Sequence, residues 1–463
     1  MLNKKTIENV LYAALSTGGD FAEIFVEDKY NSNMKMIGGM LESSVSGRDY
    51  GVGIRIFDKL NSVYAFTNDS SEENLIKVAK QAAVAIKSED KNITLNLIKS
   101  DIKNAHYISM IPKNIEKSKK VQLMKKGYYA AKNYDEVISQ VTVNYLDEEQ
   151  NVLIANSNGL LAEDNRVRTR MGIQAVASRN GEMQVGFYGP GALMGFEFYD
   201  RIDIEECGRE AARIAKTMVE AQLCPSGKMP VVIDNEFGGV LFHEACGHGL
   251  EATFVSKGTS AFAGKLGQIV ASPLVTAIDD GTIPNAWGSL NIDDEGTPTR
   301  KNILIENGVL KGYLVDNLNG RRMNAQSTGS GRRQSYRLAP TSRMNNTYID
   351  NGKSTFQEII SSTANGLYAK KLGGGSVNPA TGDFNFAVME GYLIENGKIT
   401  KPVRGATLIG NGLEVLEKID MVGNNLSFGQ GRCGSLSGII PVNVGQPTIR
   451  VKSLTVGGRK GDE

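Results

Sequence analysis

Apolar residues recur with two different periods along the first half of the chain. Thr6 to Leu15 carries them at helical spacing, and Ala22-Glu23-Ile24-Phe25-Val26-Glu27 alternates with the period of a half-buried strand. Val52 to Phe57 alternates in the same way, and Glu72 to Ile86 and Glu116 to Lys132 return to the helical period. Strands are predicted over Ser139 to Tyr145, Val152 to Asn156, Val167 to Ser178 and Glu182 to Tyr188. The last two are separated by the turn Arg179-Asn180-Gly181. An alanine-rich helix from Ile204 to Gln222 closes this half, and Cys224-Pro225-Ser226-Gly227 is a punctuated linker. The pattern divides the chain into residues 1–224, of α/β type, and residues 225–463, rich in strands.

Beyond the linker, Met229 to Ile233 reads as a buried strand that feeds a helix from about Glu236 to Gly249. Asn307-Gly308 and Asn396-Gly397 each join two apolar runs as hairpin turns, and the likeness of Ile305-Glu306-Asn307-Gly308 to Ile394-Glu395-Asn396-Gly397 reflects what that turn requires. Ser354 to Ser362 and Gly412 to Lys418 are the good helix candidates in this half. The fold class expected is α+β: an α/β-type N-terminal domain followed by a mainly antiparallel, barrel-like C-terminal domain.

Composition narrows this picture only a little. The 463 residues suffice for two or three domains. Lys plus Arg is 52 against 51 for Asp plus Glu, so no strong field points to nucleic acid or an anionic membrane. No apolar run reaches the roughly 18 residues of a transmembrane helix. The apolar stretch near the N-terminus is interrupted by Glu8 and Asn9 and reads as an amphipathic helix, not a signal peptide. Four cysteines at 207, 224, 246 and 433 make no disulfide framework, so a reducing cytoplasm is expected.

The chemistry concentrates in Phe242-His243-Glu244-Ala245-Cys246-Gly247-His248-Gly249-Leu250-Glu251. Two imidazoles can donate nitrogen to a zinc ion, and the carboxylate beside the first can take the proton from a zinc-bound water. The histidines are five apart, one more than in His-Glu-x-x-His, which places them roughly 140° out of phase on a regular helix. A π-bulge restores them to one metal by inserting a residue into the turn, and Gly247 is the expected place for the distortion. Cys433, Glu251 and Cys246 compete for the third ligand position. Cys246 is expected to pack inward, and Glu251 otherwise accepts a ring N–H from a metal-bound histidine. Cys207 and Cys224 read as core filler, and His106, in a polar stretch, as a surface residue.

Around this motif stand Leu290-Asn291-Ile292-Asp293-Asp294-Glu295-Gly296-Thr297-Pro298 and Ser327-Thr328-Gly329-Ser330-Gly331-Arg332-Arg333-Gln334-Ser335-Tyr336. Leu372-Gly373-Gly374-Gly375-Ser376-Val377, Pro402-Val403-Arg404-Gly405-Ala406-Thr407 and Pro441-Val442-Asn443-Val444-Gly445-Gln446-Pro447-Thr448 complete the set. Together with His-Glu-x-x-x-His they resemble the TldD branch of the TldD/PmbA metalloprotease family, once called modulators of DNA gyrase. The resemblance is continuous from about residue 228 onward. Over the first half it rests on element order and scattered glycines.

The resemblance implies a cytoplasmic zinc peptidase, with one Zn2+ per chain, that cleaves unfolded proteins or peptides. It implies His243, His248 and Cys433 as metal ligands and Glu244 as the catalytic residue. It also implies a dimer, either with a TldE/PmbA-like paralogue that lacks the motif or with a second copy. The chain departs from the family pattern at Ser435-Leu436-Ser437-Gly438, where a more polar stretch is expected. The alternative function is a non-enzymatic regulator that binds a partner such as gyrase and uses zinc for structure. An intact glutamate beside the first ligand favours the enzyme. Among other features, Asp293-Asp294-Glu295 could hold calcium or hang as an acidic loop over the active-site cleft. Arg321-Arg322 and Arg332-Arg333 could mark a polyanion groove, though a neutral chain with few interleaved aromatics argues against it. Gly373-Gly374-Gly375 reads as a close backbone approach.

Overall fold

Strands in the first half run much longer than the alternation delimits in this computed structural model, which describes residues 1–86, 94–378 and 380–458. Phe21–Ile37, Met40–Asp58, Ile138–Asn156 and Leu160–Arg179 are 17 to 20 residues each and lie in one eight-stranded sheet. The segments expected over Ser139 to Tyr145 and Val152 to Asn156 are a single strand. The polar residues between them break the hydrophobic alternation, but tertiary partners satisfy them: Asp147 accepts from Lys120 at 2.6 Å and Gln150 donates to Glu27 at 2.8 Å. With neighbours on both sides, the backbone there keeps its ladder whatever the side chains are.

Four helices cover this sheet. Lys4–Ala14 and Glu72–Ala83 bury Ile7, Val10, Leu11, Leu75 and Ala79 against Ile24 and Ile54. Lys117–Lys132 and Ile204–Glu220 bury Met124, Ala131 and Ala211 against Tyr145 and Ile173. Caps fix two of their starts, with the Asn3 side chain accepting from the Thr6 N–H and Asp203 from Glu205 and Glu206. Asn180 and Gly181, at φ 51° and 83°, make the expected tight turn.

In the second half five strands close a barrel: Gly227–Ile233, Asn365–Val377, Asp383–Glu395, Thr407–Asn411 and Ile449–Gly457. Of the five pairings that close the barrel, that of Gly227–Ile233 with Asn365–Val377 is parallel and the others antiparallel, so the mainly antiparallel, barrel-like expectation holds. Beside it a six-stranded sheet ends in the hairpin of Gly438–Gln446 and Ser427–Ser435, and Ser427–Ser435 is its edge. The Asn-Gly hairpins form, with φ 48° and 83° at Asn307 and Gly308 and 50° and 70° at Asn396 and Gly397. Helices at Phe356–Ser361 and Gly412–Glu417 match the expectation. Asn317–Met323 and Ala252–Val255 were not expected. Asn317–Met323 has no apolar period. It is fixed by the Asp316 side chain, which accepts from the Asn319 N–H, and by Arg321 reaching Asp20 in the first half.

The two halves are joined by buried ion pairs, and these correct the reading of the acidic loop. Asp293, Asp294 and Glu295 are buried, not hung over a cleft. Arg166 meets Asp294 at 2.6 Å and Arg55 meets Glu295 at 2.6 Å, while Asp293 accepts backbone N–H groups from Glu295, Thr297 and Gly331. Arg333 is buried and paired with Glu23 at 2.7 Å, so it belongs to the same joint. Burial still pushes the pKa of Asp293 and Glu295 up in spite of these donors, while Arg166 and Arg333 outweigh burial at Asp294 and hold it down.

Candidate metal centre

The Gly227–Ile233 strand runs straight into the histidine motif. A 3-10 turn at Glu236–Gly239 leads to one α-turn at Val240–Phe242, a π segment at His243–Gly247 and a 3-10 turn at His248–Leu250. The π bond runs from the His248 N–H to the His243 carbonyl, so the widened turn is closed by the two histidines themselves. It brings their rings to a centroid distance of 5.2 Å, 83° apart in plane. Gly247 is needed here, though not for unusual angles. Its backbone is ordinary helix at φ −56°, and a Cβ there would sit 2.3 Å from the Met344 sulfur. Space, not conformational freedom, selects the glycine.

The third component arrives from 185 residues away. Cys433, on the edge strand Ser427–Ser435, places Sγ 3.2 Å from His248 Nε2. Donor atoms of His243, His248 and Cys433 all lie within 4.8 Å of one another, and all three residues are buried. Glu244 stands just outside this group, with Oε2 3.7 Å from His248 Nε2 and its side chain 27% exposed. Glu251 pairs with the other nitrogen, His248 Nδ1, at 3.1 Å. Cys246 is buried and faces Gly412 instead. Cys207 and Cys224 are buried, as expected of core residues. His106 is a correction. It is only 4% exposed, because its Nδ1 accepts the Asn285 N–H where two polar loops cross.

Arg343 is the site residue that the sequence did not reveal. It is fully buried, with Nη2 donating to the Cys433 carbonyl at 2.6 Å and Nη1 to the Gly438 carbonyl at 2.8 Å. Its Nε lies 3.9 Å from Glu251. It therefore holds the cysteine hairpin by two hydrogen bonds while its charge stands beside Glu251, the acid paired with His248. An arginine inside Thr341-Ser342-Arg343-Met344 carries no periodic signal, so only the fold exposes its role.

Electrostatics here suit a soft cation. Both nitrogens of His243 are buried without a hydrogen-bond partner. Such orphaned atoms are costly unless something else meets them, and an N, N, S donor set fits zinc. Burial alone would raise the Cys433 thiol, but the nearby imidazoles, His243 first, bring it down to about 3. His243 acts there through charge at short range, since no well-formed hydrogen bond reaches its ring. Burial opposes the charged form of His248, yet Glu251 and Cys433 hold its pKa well above the usual 6.5.

A metal bound through His248 would have to displace a proton that the residue holds more tightly than usual. The proton competes below the raised pKa and ceases to compete above it. Zinc affinity is expected to climb about tenfold per pH unit through and beyond pH 6.5. Calorimetric titration in buffers of different ionisation enthalpy reads the released proton. Affinity that is flat between about pH 6 and 8 would contradict this arrangement.

Comparison with known proteins places the chain in a family. Residues 226–458 match the PmbA/TldA metallopeptidase C-terminal domain, residues 111–219 its central domain and residues 22–86 its domain 1. A metalloprotease TldD homolog from Haemophilus influenzae is 38% identical over 99% of this chain and 97% of its own length. The crystal structure of a Thermotoga maritima protein described as a modulator of a DNA gyrase superposes with a TM-score of 0.81, at 23% identity over 98% of this chain and all of that one. TldE from Thermococcus kodakarensis gives 0.76 at 22% identity over 98% of this chain and 100% of its own. The two structural likenesses speak for the fold.

Proposed function

The chain belongs to the PmbA/TldD family of metallopeptidases, and from that premise we propose that it is a zinc-dependent peptidase acting on unfolded proteins or peptides. In this reading His243, His248 and Cys433 hold the metal. The observation that carries it is the convergence of those three buried donors beside a carboxylate that stays outside the donor set. Zinc bound there would act as a Lewis acid towards the scissile carbonyl and the attacking water. Glu244 takes the proton from the water and returns it to the leaving amine. Glu251 orients His248 through Nδ1, and Arg343 holds the hairpin that presents Cys433. The position of Glu244 also favours catalysis over the alternative, a gyrase-type regulator with a structural zinc, since a structural site has no use for that carboxylate.

The proposed division near residue 225 gives both halves a part. All the donors come from the second half, and the first closes a groove of about 380 Å³ with Val185, Phe187 and Tyr188. That groove runs past Gly373 and Gly374 and along Gly429 to Arg432 on the edge strand. The Cβ position of Gly375 is filled by the Asn385 carbonyl at 2.2 Å, whereas Gly374 faces open space. In the proposal an extended chain lies here and bonds through its backbone, which makes cleavage broad in sequence and confined to unfolded substrates. A second subunit, a TldE/PmbA-like paralogue or another copy, covers the cleft. The setting proposed is the cytoplasm, and among the described residues no helix is long and apolar enough to cross a membrane.

A stably folded protein and its denatured form, offered to the purified chain alone and with the paralogue, test this. The denatured form should be digested and the folded one spared. Equal digestion of both would remove the strand-addition model, and full activity of an isolated monomer would remove the need for a partner.

A further inference from the structure

Arg166, Arg168 and Arg170 occupy alternate positions of the Leu160–Arg179 strand, so all three project from one face. Two of them have acids to meet. Arg166 bonds Asp164 and Asp294, and Arg168 lies 4.0 Å from Glu148. Among the described residues no carboxylate lies within 4.0 Å of Arg170. Its Nε donates to the Gly189 carbonyl and its Nη2 to the Gln430 carbonyl, both at 3.0 Å, which pins the guanidinium against the edge strand that bears Cys433. Arg432, next to Cys433 on that strand, likewise has no carboxylate partner among the described residues, and Glu148 is engaged by Lys29 at 2.9 Å.

Both arginines line the proposed peptide groove, whose other walls include Phe187, Tyr188, Leu372 and Met389, with Lys371 and Glu236 also on its rim. Burial and repulsion from Arg432 lower Arg170 to about 10, so it remains charged at neutral pH. The half-buried Arg170 and the exposed Arg432 repel each other, and one carboxylate bound between them relieves that repulsion. The guanidinium fork of Arg432 is matched to the two oxygens of a carboxylate, and Arg170, held through Nε and Nη2, has Nη1 left to donate beside it.

We infer that Arg170 and Arg432 form a receptor for a carboxylate of the bound peptide and so determine which peptides are cleaved. Gln430, where Arg170 is anchored, precedes Cys433 by three strand residues, roughly 10 Å at about 3.4 Å per residue. An extended peptide has the same rise, so the carboxylate stands two or three residues from the scissile bond. A chain terminus and an Asp or Glu side chain offer the same chemistry.

The inference rests on the proposed peptidase function, and the test separates the two. One peptide is prepared with a free or amidated C-terminus and with Glu or Gln at the second and third positions flanking the cleaved bond. kcat/KM is measured with the zinc-loaded protein, and binding is followed by fluorescence anisotropy with Glu244→Gln. The acid form, terminal or internal, should exceed its neutral counterpart at least tenfold at low salt. Arg432→Gln and Arg170→Gln should each bring that ratio towards one, and Arg432→Lys should restore part of it. Arg432 is exposed, so its variants stay informative if Arg170→Gln folds poorly. A ratio near one in the unaltered protein overturns the receptor while cleavage leaves the peptidase function standing. Neither binding nor cleavage of any peptide would overturn both.

Discussion

Glu244→Gln is expected to retain near-stoichiometric zinc while peptide cleavage falls by roughly 10²–10⁴-fold or more. The carboxylate stands 3.7 Å from His248 Nε2 and outside the set of three mutually close donors, so an amide of the same shape removes no ligand. It does remove the carboxylate that, in the proposed mechanism, accepts the proton of the attacking water. Its 27% exposure fits a group that faces incoming substrate, in contrast to the fully buried Glu251. Metal analysis and a peptide assay on the same preparation decide the matter. Loss of zinc and activity together would make Glu244 a ligand and sink this assignment.

Cys433→Ser should give the largest change in metal retention. It exchanges a thiolate for a poor hydroxyl donor, and zinc should be lost at modest chelator concentrations. Glu251→Gln acts through His248 and keeps all three donor atoms, so affinity should drop by about 10- to 100-fold, as for other groups that orient a metal-bound histidine. A chromophoric chelator titrated against both variants reads the order. Stronger retention by Cys433→Ser than by Glu251→Gln would transfer the ligand role to Glu251.

Much of this centre was legible from local chemistry. Histidines five apart do not easily meet one metal on a regular helix, so the expectation of a shared metal led to the widened turn found at His243–Gly247. The Asn-Gly turns were equally local, because few other pairs reach the φ values seen at Asn307, Gly308, Asn396 and Gly397. So were the amphipathic helices of the first half and the strand that feeds the motif, since each is set by a period within a short window. The glycine at 247 was located correctly for the wrong reason, because the Met344 sulfur that excludes a side chain lies far off in sequence.

Other features belonged to the tertiary structure. Proximity of Cys433 to His248 depends on a hairpin 185 residues away, and spacing by itself left Glu251 and Cys246 as rivals. Arg343 looked like any polar residue until the fold buried it between Glu251 and the Cys433 carbonyl. Asp293 to Glu295 and His106 read as surface residues because polar side chains usually are. Here the packing of one half on the other supplied Arg166, Arg55 and the Asn285 N–H as partners. The polar middle of Ile138–Asn156 hid a continuous strand for the same reason. Periodicity within a short window determined the local elements and the distorted turn. Which buried polar groups find partners, and therefore where the donors and their supports converge, was decided by contacts between segments far apart in the chain, whose free energy no local pattern records.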